Sequence, residues 1–377
     1  FDPQIMWDPG TLRFYYAADD VIESNHNYLS FGWSTNTTPN GTSWCRYNLA
    51  FGASFPDYPK LGDTQNFQLI GTNIFKANSF AGSDVSWISK PGSGTTCPSA
   101  ATLKAGTVAG LKNSNGTQAF TPVPANQTDT SSTGWIVARP AALPSTGATS
   151  LSVFTVTRNS TTGAAVIPLT GASVTVPAYK VPAAAPQLGT TRKLDTSDTR
   201  NTQAVSAIDP AHGTSVGLWT QHTVFGGAGA EVRWYEINPA THTLFQRGTV
   251  TSPSLFTFNG AISPDRAVNF PSKQFGSNMV LDTNTSSATT RSTLRLVSKL
   301  GAAAQSAPVT IASSTGPDIG FDCASGICRW GDYAAATPDP SPPSGTTGRV
   351  WGTSMLSYSS TDTSSANWET WNFAAKP

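Results

Sequence analysis

A short phrase returns several times in this chain at long spacing, and it constrains the fold more than any other feature. In each copy an apolar strand runs into a turn that combines proline with aspartate, and an aromatic or apolar strand follows the better-preserved turns. The turns of the copies are Asp8-Pro9, Asp209-Pro210, Pro264-Asp265 and Asp339-Pro340. A sheet unit that repeats at long spacing is typical of a propeller-like array. The repeat therefore predicts where the sheets lie, but it does not predict a reaction.

The residue pattern between the repeats is that of strands. No long segment keeps a helical period of 3.6, whereas apolar and polar residues alternate in segments such as 151–157 and 293–298. Charged residues make up 12% of the chain, well below the ~25% of typical domains. Ser, Thr, Gly, Pro and Asn supply the polarity instead, which suits many short strands joined by turns. We therefore expect an all-β protein.

Candidate first strands of successive sheets can be placed from the repeats. They begin near Asp2, Asp57, Phe120, Asn201, Asn259 and Asp332. Four strands and their loops need about 40–60 residues. The sequence thus predicts a single β-propeller domain over residues 1–377, with six four-stranded antiparallel blades around a central channel. Five or seven blades are the alternatives, and residues 368–373 are expected to complete a blade near the N-terminal strands.

Charge and hydropathy exclude two classes of partner. The net charge is +1 and no run of Lys and Arg stands out, so we expect no nucleic-acid partner. No apolar stretch approaches the ~20 residues of a transmembrane helix. The chain opens on strand-like sequence without a signal peptide, as a processed secreted protein would. We expect a secreted or cell-surface protein, and a glycoprotein if its source modifies N-x-S/T triplets, which occur at Asn36, Asn40, Asn115, Asn126, Asn159 and Asn284.

The four cysteines favour structural disulfides. Cys323 and Cys328 lie close enough in sequence to close a small loop, and Cys45 and Cys97 would then pair with each other. Four cysteines allow three connectivities, so this pairing is a preference. The spacings do not match a zinc-binding pattern, and disulfides point to an oxidising compartment.

Several phrases resemble the sialidase-like (BNR-type) secreted β-propellers of bacteria. They are residues 1–9, 55–62 and 328–334, and residues 34–44 resemble a stretched Asp-box turn with Asn36 where aspartate is expected. The resemblance extends to about residue 355 and implies a propeller fold, on which unrelated chemistries occur. Sialidases need an arginine cluster and a Tyr/Glu nucleophile pair. Only Arg200 and Arg329 lie near predicted blade starts, and no glutamate does, so we do not expect sialidase chemistry.

The first residues of innermost propeller strands converge on one mouth of the channel. When the predicted first strands are aligned with one another, these residues are Asp2, Gln4, Asp57, Tyr58, Arg200, Asn201, Asn259, Arg329, Trp330, Asp332 and Tyr333. The carboxylates of Asp2, Asp57 and Asp332 would repel one another there, unless a cation, a raised pKa or hydrogen-bond donors relieve the repulsion. Calcium suits such oxygen ligands. In the alternative interpretation, each aspartate caps the backbone N–H groups of its own turn.

Three functions are compatible with these residues. In the first, Gln4, Tyr58, Arg200, Asn201, Asn259, Arg329 and Trp330 bind a glycan or another extracellular polymer, with Trp330 stacking on a sugar. In the second, Asp57, Asp332 and Tyr333 catalyse hydrolysis or elimination of a carbohydrate. In the third, the protein is a structural subunit of an extracellular assembly. Trp330 packed in the core, with Asp332 bonded locally, is the structural alternative. Among the other tryptophans we expect Trp7, Trp135, Trp219, Trp234 and Trp351 inside, whereas Trp33, Trp44, Trp368 and Trp371 are the better candidates for exposure.

Overall fold

The computed structural model describes residues 1–23, 26–92, 96–267, 275–323, 325–341, 345 and 347–377. The chain forms two compact units. Unit 1 consists of Phe1–Ala142 and Ser150–Val174, and unit 2 consists of Leu143–Thr149 and Thr175–Pro377. The described residues contain no α-helix, only strands and the short 3-10 turns Pro210–His212 and Phe321–Cys323.

Unit 1 contains three antiparallel sheets. The strands of the first two, in spatial order, are β1 (Gln4–Asp8), β2 (Arg13–Glu23), β3 (His26–Ser34) and β4 (Trp44–Gly52), then β5 (Phe55–Asp63), β6 (Phe67–Lys76), β7 (Ser79–Ser89) and β8 (Ala105–Val108). The third sheet is formed by β9 (Ala119–Pro124), β11 (Gly134–Pro140), β12 (Ala148–Arg158) and β13 (Ala165–Val166), and the two-residue strand β10 (Asn126–Gln127) follows β9 in the chain.

In unit 2 the larger sheets are again antiparallel and follow chain order. β14 (Ala172–Tyr179) runs from unit 1 into unit 2. The sheets contain β17 (Asn201–Ile208), β18 (Val216–Val224), β19 (Glu231–Asn238) and β20 (Thr243–Val250), then β21 (Phe256–Pro264), β22 (Met279–Ser287), β23 (Thr290–Lys299) and β24 (Val309–Ser313), then β26 (Ala335–Pro338), β27 (Val350–Ser357) and β28 (Trp368–Ala375). A small sheet joins β15 (Ala185–Pro186), β16 (Lys193–Leu194) and β25 (Ile327–Cys328), the last two in parallel.

These sheets confirm the all-β prediction of four-stranded antiparallel units, the type of sheet that forms propeller blades. The six predicted first strands correspond to β1, β5, β9, β17, β21 and β26. The number of blades stays a prediction. The last strand, β28, completes the β26–β27–β28 sheet, pairing with β27 from Val350↔Ala375 to Ser357↔Trp368, and its expected place near the N-terminal strands stays a prediction. The two strands are neighbours along the chain, so their pairing needs only a short connection.

A local distortion recurs at the start of first strands. In unit 1, Tyr58 has φ 57° and the β5–β6 register shifts between Asp57 and Lys60. In unit 2, Asn259 has φ 46° and the β21–β22 register shifts between Phe258 and Ala261. Such bulges re-aim side chains and are common beside functional sites.

Two buried arrangements of ionisable groups lie among the apolar side chains. In unit 1, Lys90 Nζ lies 2.8 Å from Asp8 Oδ2 and 2.7 Å from Asp63 Oδ2. In unit 2, Asp282 lies on β22, all of whose residues are buried. Its Oδ1 accepts the Ala261 N–H at 2.7 Å, and complete burial raises the pKa of its carboxyl well above the usual range.

Candidate functional site

Three aspartates of unit 1 bring their carboxylates together. One oxygen from each of Asp2, Asp19 and Asp57 lies within 4.8 Å of the others. Asp2, with φ 50°, precedes β1, Asp19 lies on β2, and Asp57 lies on β5 directly before the bulge. Asp19 is only 2% exposed, whereas the other two are half-buried. We call these three residues the carboxylate cluster.

Burial dominates the electrostatics of the cluster. It raises the pKa of the Asp19 carboxyl to about 6, with a further contribution from Asp2 and a smaller one from Asp57, against the opposing effect of the Phe1 amino group. That nitrogen lies 3.2 Å from Asp19 Oδ1. Among the described residues, Asp19 Oδ2 has no hydrogen-bond partner. The cluster therefore holds negative charge that its surroundings compensate only in part.

Sequence reasoning found Asp2 and Asp57 but missed Asp19. The signal that could have found Asp19 is the alternation along β2, which places Asp19 on the same buried face as Tyr15 and Ala17. An acidic residue at such a position needs a compensating partner. The third predicted carboxylate, Asp332, belongs to unit 2.

Stability should fall as the pH rises from about 4 to about 6 because of Asp19. The pKa of its carboxyl is about 6 in the folded protein against an ordinary 3.8, so the folded state binds the proton more tightly. The stabilisation is complete below the ordinary pKa and is lost as the pH passes the raised one. Asp19→Asn should flatten this part of the profile of melting temperature against pH, measured in EDTA. The matched control is Asp20→Asn, and an unchanged profile in Asp19→Asn would contradict the assignment.

A cavity of about 570 Å³ in unit 1 reaches the carboxylate cluster at Asp57. Its lining residues are Asn27, Ala53, Phe55, Asp57, Phe75, Ala77 and Asn78. Phe55 and Phe75 are directly opposed in the β5–β6 ladder. Ala77 and Asn78 both have positive φ, at 46° and 63°, as in the type I′ turns that join hairpin strands. The cavity therefore combines two aromatic rings, two amides and a carboxylate.

The other predicted ligand-binding residues of unit 1 have structural contacts. Gln4 Oε1 accepts the Leu61 N–H at 2.6 Å. Tyr58 is buried, and Lys60 Nζ lies 3.8 Å from the centre of its ring. These contacts tie β1 to β5 and cover the Tyr58 ring. Neither side chain lines the cavity.

Four predicted site residues of unit 2 lie near Asp195: Arg200, Asn259, Arg329 and Asp332. Burial raises the pKa of the Asp195 carboxyl, and the nearby charges of Asp332, Arg329 and Arg200 also act on it. Two ion pairs border it: Arg329 Nη2 to Asp332 Oδ2 at 2.8 Å, and Arg200 Nε to Asp198 Oδ1 at 2.7 Å. The sequence prediction missed Asp195 and Asp198, although both lie in a polar turn shortly before β17.

Trp330 does not offer its ring to a ligand, so the expectation that it stacks on a sugar is wrong. It is 1% exposed and packs in an apolar cluster with Phe258 and the cysteines Cys323 and Cys328. Its carbonyl accepts the Nδ2–H of Asn259 at 2.5 Å. The structure thus agrees with the core alternative for this tryptophan.

The amides predicted to bind ligand in unit 2 are also internal. Asn201 and Asn259 are buried, and Asn201 Nδ2 donates to Thr220 Oγ1 at 3.0 Å. Asp332 and Tyr333 are half-buried in unit 2, whereas Asp57 belongs to unit 1, so a catalytic role shared by the three stays a prediction.

Both preferred disulfides are present, joining Cys45 to Cys97 and Cys323 to Cys328. Two disulfides fit a protein of an oxidising compartment. Over the described parts of the chain, no helix has the length and apolar character needed to span a bilayer.

We compared the chain with protein families, curated proteins and solved structures, and matches were found only among the solved structures. No family model matches the chain, and no curated protein matches it. It is similar to the structure of Trypanosoma rangeli sialidase in complex with the inhibitor DANA, at TM-score 0.44 and 10% identity, over 99% of this chain and 54% of that one. An ACO/RPE65 chimera gives TM-score 0.42 and 14% identity, over 82% and 61% of the two chains.

A third similar structure is the xylan β-1,4-xylosidase of Bacillus halodurans C-125, at TM-score 0.37 and 9% identity, over 85% of this chain and 52% of that one. The chain thus spans about half to three fifths of the length of these proteins. No family model supports the sialidase-like resemblance of the sequence.

Proposed function

We propose that the protein binds an extracellular glycan in the cavity of unit 1. The observation that carries the proposal is the lining, in which Phe55 and Phe75 lie beside Asn27, Asn78 and Asp57. A sugar ring has an apolar face and a rim of hydroxyl groups. Aromatic side chains suit the face, while amide and carboxylate groups suit the rim.

The polar groups of the cavity are held in place by the fold. Asn27 Nδ2 donates to the Gly52 carbonyl at 2.9 Å, which orients the amide. Asn78 lies in the two-residue turn between β6 and β7, with φ 63°. Groups held in this way lose little entropy when a ligand binds.

We further propose that Asp2, Asp19 and Asp57 hold a calcium ion. Calcium takes carboxylate oxygens in flexible geometry, and the three carboxylates lie within 4.8 Å of one another. The buried Asp19, with an oxygen that lacks a hydrogen-bond partner among the described residues, supports a cation in addition to the clustering. Because Asp57 also lines the cavity, the ion would couple to ligand binding.

Phe75→Ala should weaken glycan binding about tenfold, equivalent to about 1.4 kcal/mol. A glycan array identifies the ligand, and titration calorimetry then compares the variant with the matched control Phe225→Ala, an exposed phenylalanine of unit 2. EDTA and Asp19→Asn should each weaken binding if calcium takes part. If Phe75→Ala and the wild type bind the glycan with equal affinity, the cavity is not the binding site.

Two other results would separate the remaining alternatives. Binding that is lost in Phe75→Ala but unaffected by EDTA would keep the cavity and reject the ion. Release of shorter sugars during incubation would favour the predicted hydrolase or lyase. If no glycan on the array binds, the remaining prediction is that the protein is a structural subunit that binds an assembly partner.

A further inference from the structure

Unit 2 contains a second cluster of potential metal ligands, at the turn that follows β17. Asp209 is buried, and its Oδ1 accepts the Ala211 N–H at 2.9 Å. His212 Nε2 lies 3.6 Å from Asp209 Oδ2. The His212 ring stacks on Phe245 with centroids 3.7 Å apart and planes inclined by 6°. This stacking orients the imidazole beside the carboxylate.

Glu236 on β19 completes the cluster. It is 0% exposed, and its Oε2 accepts a hydrogen bond from Gln246 Nε2 at 2.8 Å. Its Oε1 accepts no hydrogen bond from an N–H or hydroxyl donor among the described residues, but the Glu236 and Asp209 carboxyl groups share a side-chain hydrogen bond. A Cβ atom on Gly217 would lie 2.2 Å from Oε1, so a larger residue there would push this carboxyl group aside. One ligand atom from each of Asp209, His212 and Glu236 lies within 4.8 Å of the others.

The repeated phrase provides an internal comparison. Asp8 of the first copy shares the ammonium group of Lys90 with a second buried carboxylate. Asp209 holds the same place in its copy and also faces a second buried carboxyl group. Within the described chain, however, no lysine or arginine nitrogen forms an ion pair with Asp209 or Glu236. The charge of Lys299 acts on both carboxyl groups from a longer distance, while its Nζ donates to the Gly301 carbonyl.

We propose that Asp209, His212 and Glu236 bind a zinc ion. Imidazole nitrogen together with carboxylate oxygens is a donor set that zinc accepts, and three protein ligands leave a fourth position for water. Once both carboxyl groups are deprotonated, their two negative charges match the charge of a divalent cation. The site is independent of the proposed glycan cavity, which lies in unit 1.

Zinc titration of the EDTA-treated protein tests the site. We expect one equivalent to bind in the wild type and the dissociation constant to rise at least tenfold in His212→Ala. The matched control is His242→Ala, another turn histidine of unit 2, which should bind as the wild type does. Glu236→Gln keeps the shape of the side chain while removing the carboxyl group that a zinc ion would bind in its deprotonated form, and should also lose zinc. Cobalt absorption spectra report whether a nitrogen ligand is present.

Either of two results would overturn the proposal: no zinc bound by the wild type at micromolar concentration, or equal weakening in the two histidine variants. Circular dichroism of each variant excludes unfolding as the cause of lost binding. Glycan binding by the same zinc-deficient variants should be unchanged, so the two proposals can fail separately.

Discussion

Replacing Lys90 with methionine is expected to destabilise the protein by about 3–5 kcal/mol, the usual cost of removing one partner from a buried ion pair. The Lys90 side chain is 6% exposed and bridges Asp8 and Asp63, which are almost as buried. Without the ammonium group, two carboxylates would face each other with little access to water. Denaturant unfolding at neutral pH measures the loss.

Two variants make this expectation specific. Lys104→Met removes an exposed lysine of the same unit and should change stability little. Adding Asp63→Asn to Lys90→Met removes one of the facing charges, while Asp8 keeps its bonds to the Gly10 N–H and the Thr11 hydroxyl. The double variant should regain part of the lost stability. A Lys90→Met variant as stable as Lys104→Met would contradict the structural role of the triad.

Removing the Cys45–Cys97 disulfide should cost about 4 kcal/mol, about twice the cost for Cys323–Cys328, if chain entropy dominates. The first bridge spans 52 residues of sequence and the second only 5. A longer closed loop restricts the unfolded chain more. Unfolding of the two double-alanine variants in denaturant compares the bridges directly. Equal losses would mean that local packing, such as that of Cys323 and Cys328 around Trp330, outweighs loop length.

The sequence was sufficient to predict the sheets because their signals are local. The Asp-Pro turns and the alternating segments act over a few residues, and the predicted first strands match β1, β5, β9, β17, β21 and β26. Burial was harder to predict. Trp351 was expected inside but is 45% exposed, whereas Trp33, one of the better candidates for exposure, is 1% exposed. Alternation shows which residues share a face of a strand, but it does not show which face another sheet covers.

The same limit applies to the candidate sites. Asp2 and Asp57 could be paired because both lie at predicted strand starts. Asp19 lies in mid-strand, and only the β1–β2 and β5 geometry brings it to them. Likewise, no local pattern shows that Trp330 packs against Phe258 and the Cys323–Cys328 bridge. Partners far apart in sequence require the register and packing of whole strands.

Because the carboxyl of Asp282 is buried, folding is coupled to the uptake of a proton. At pH values between its ordinary pKa of 3.8 and its raised one, the unfolded chain releases this proton and the folded chain keeps it. Within that pH range, folding therefore withdraws a proton from the buffer. A calorimeter would record this exchange as an unfolding enthalpy that differs between phosphate and Tris at the same pH, since the two buffers ionise with different heats.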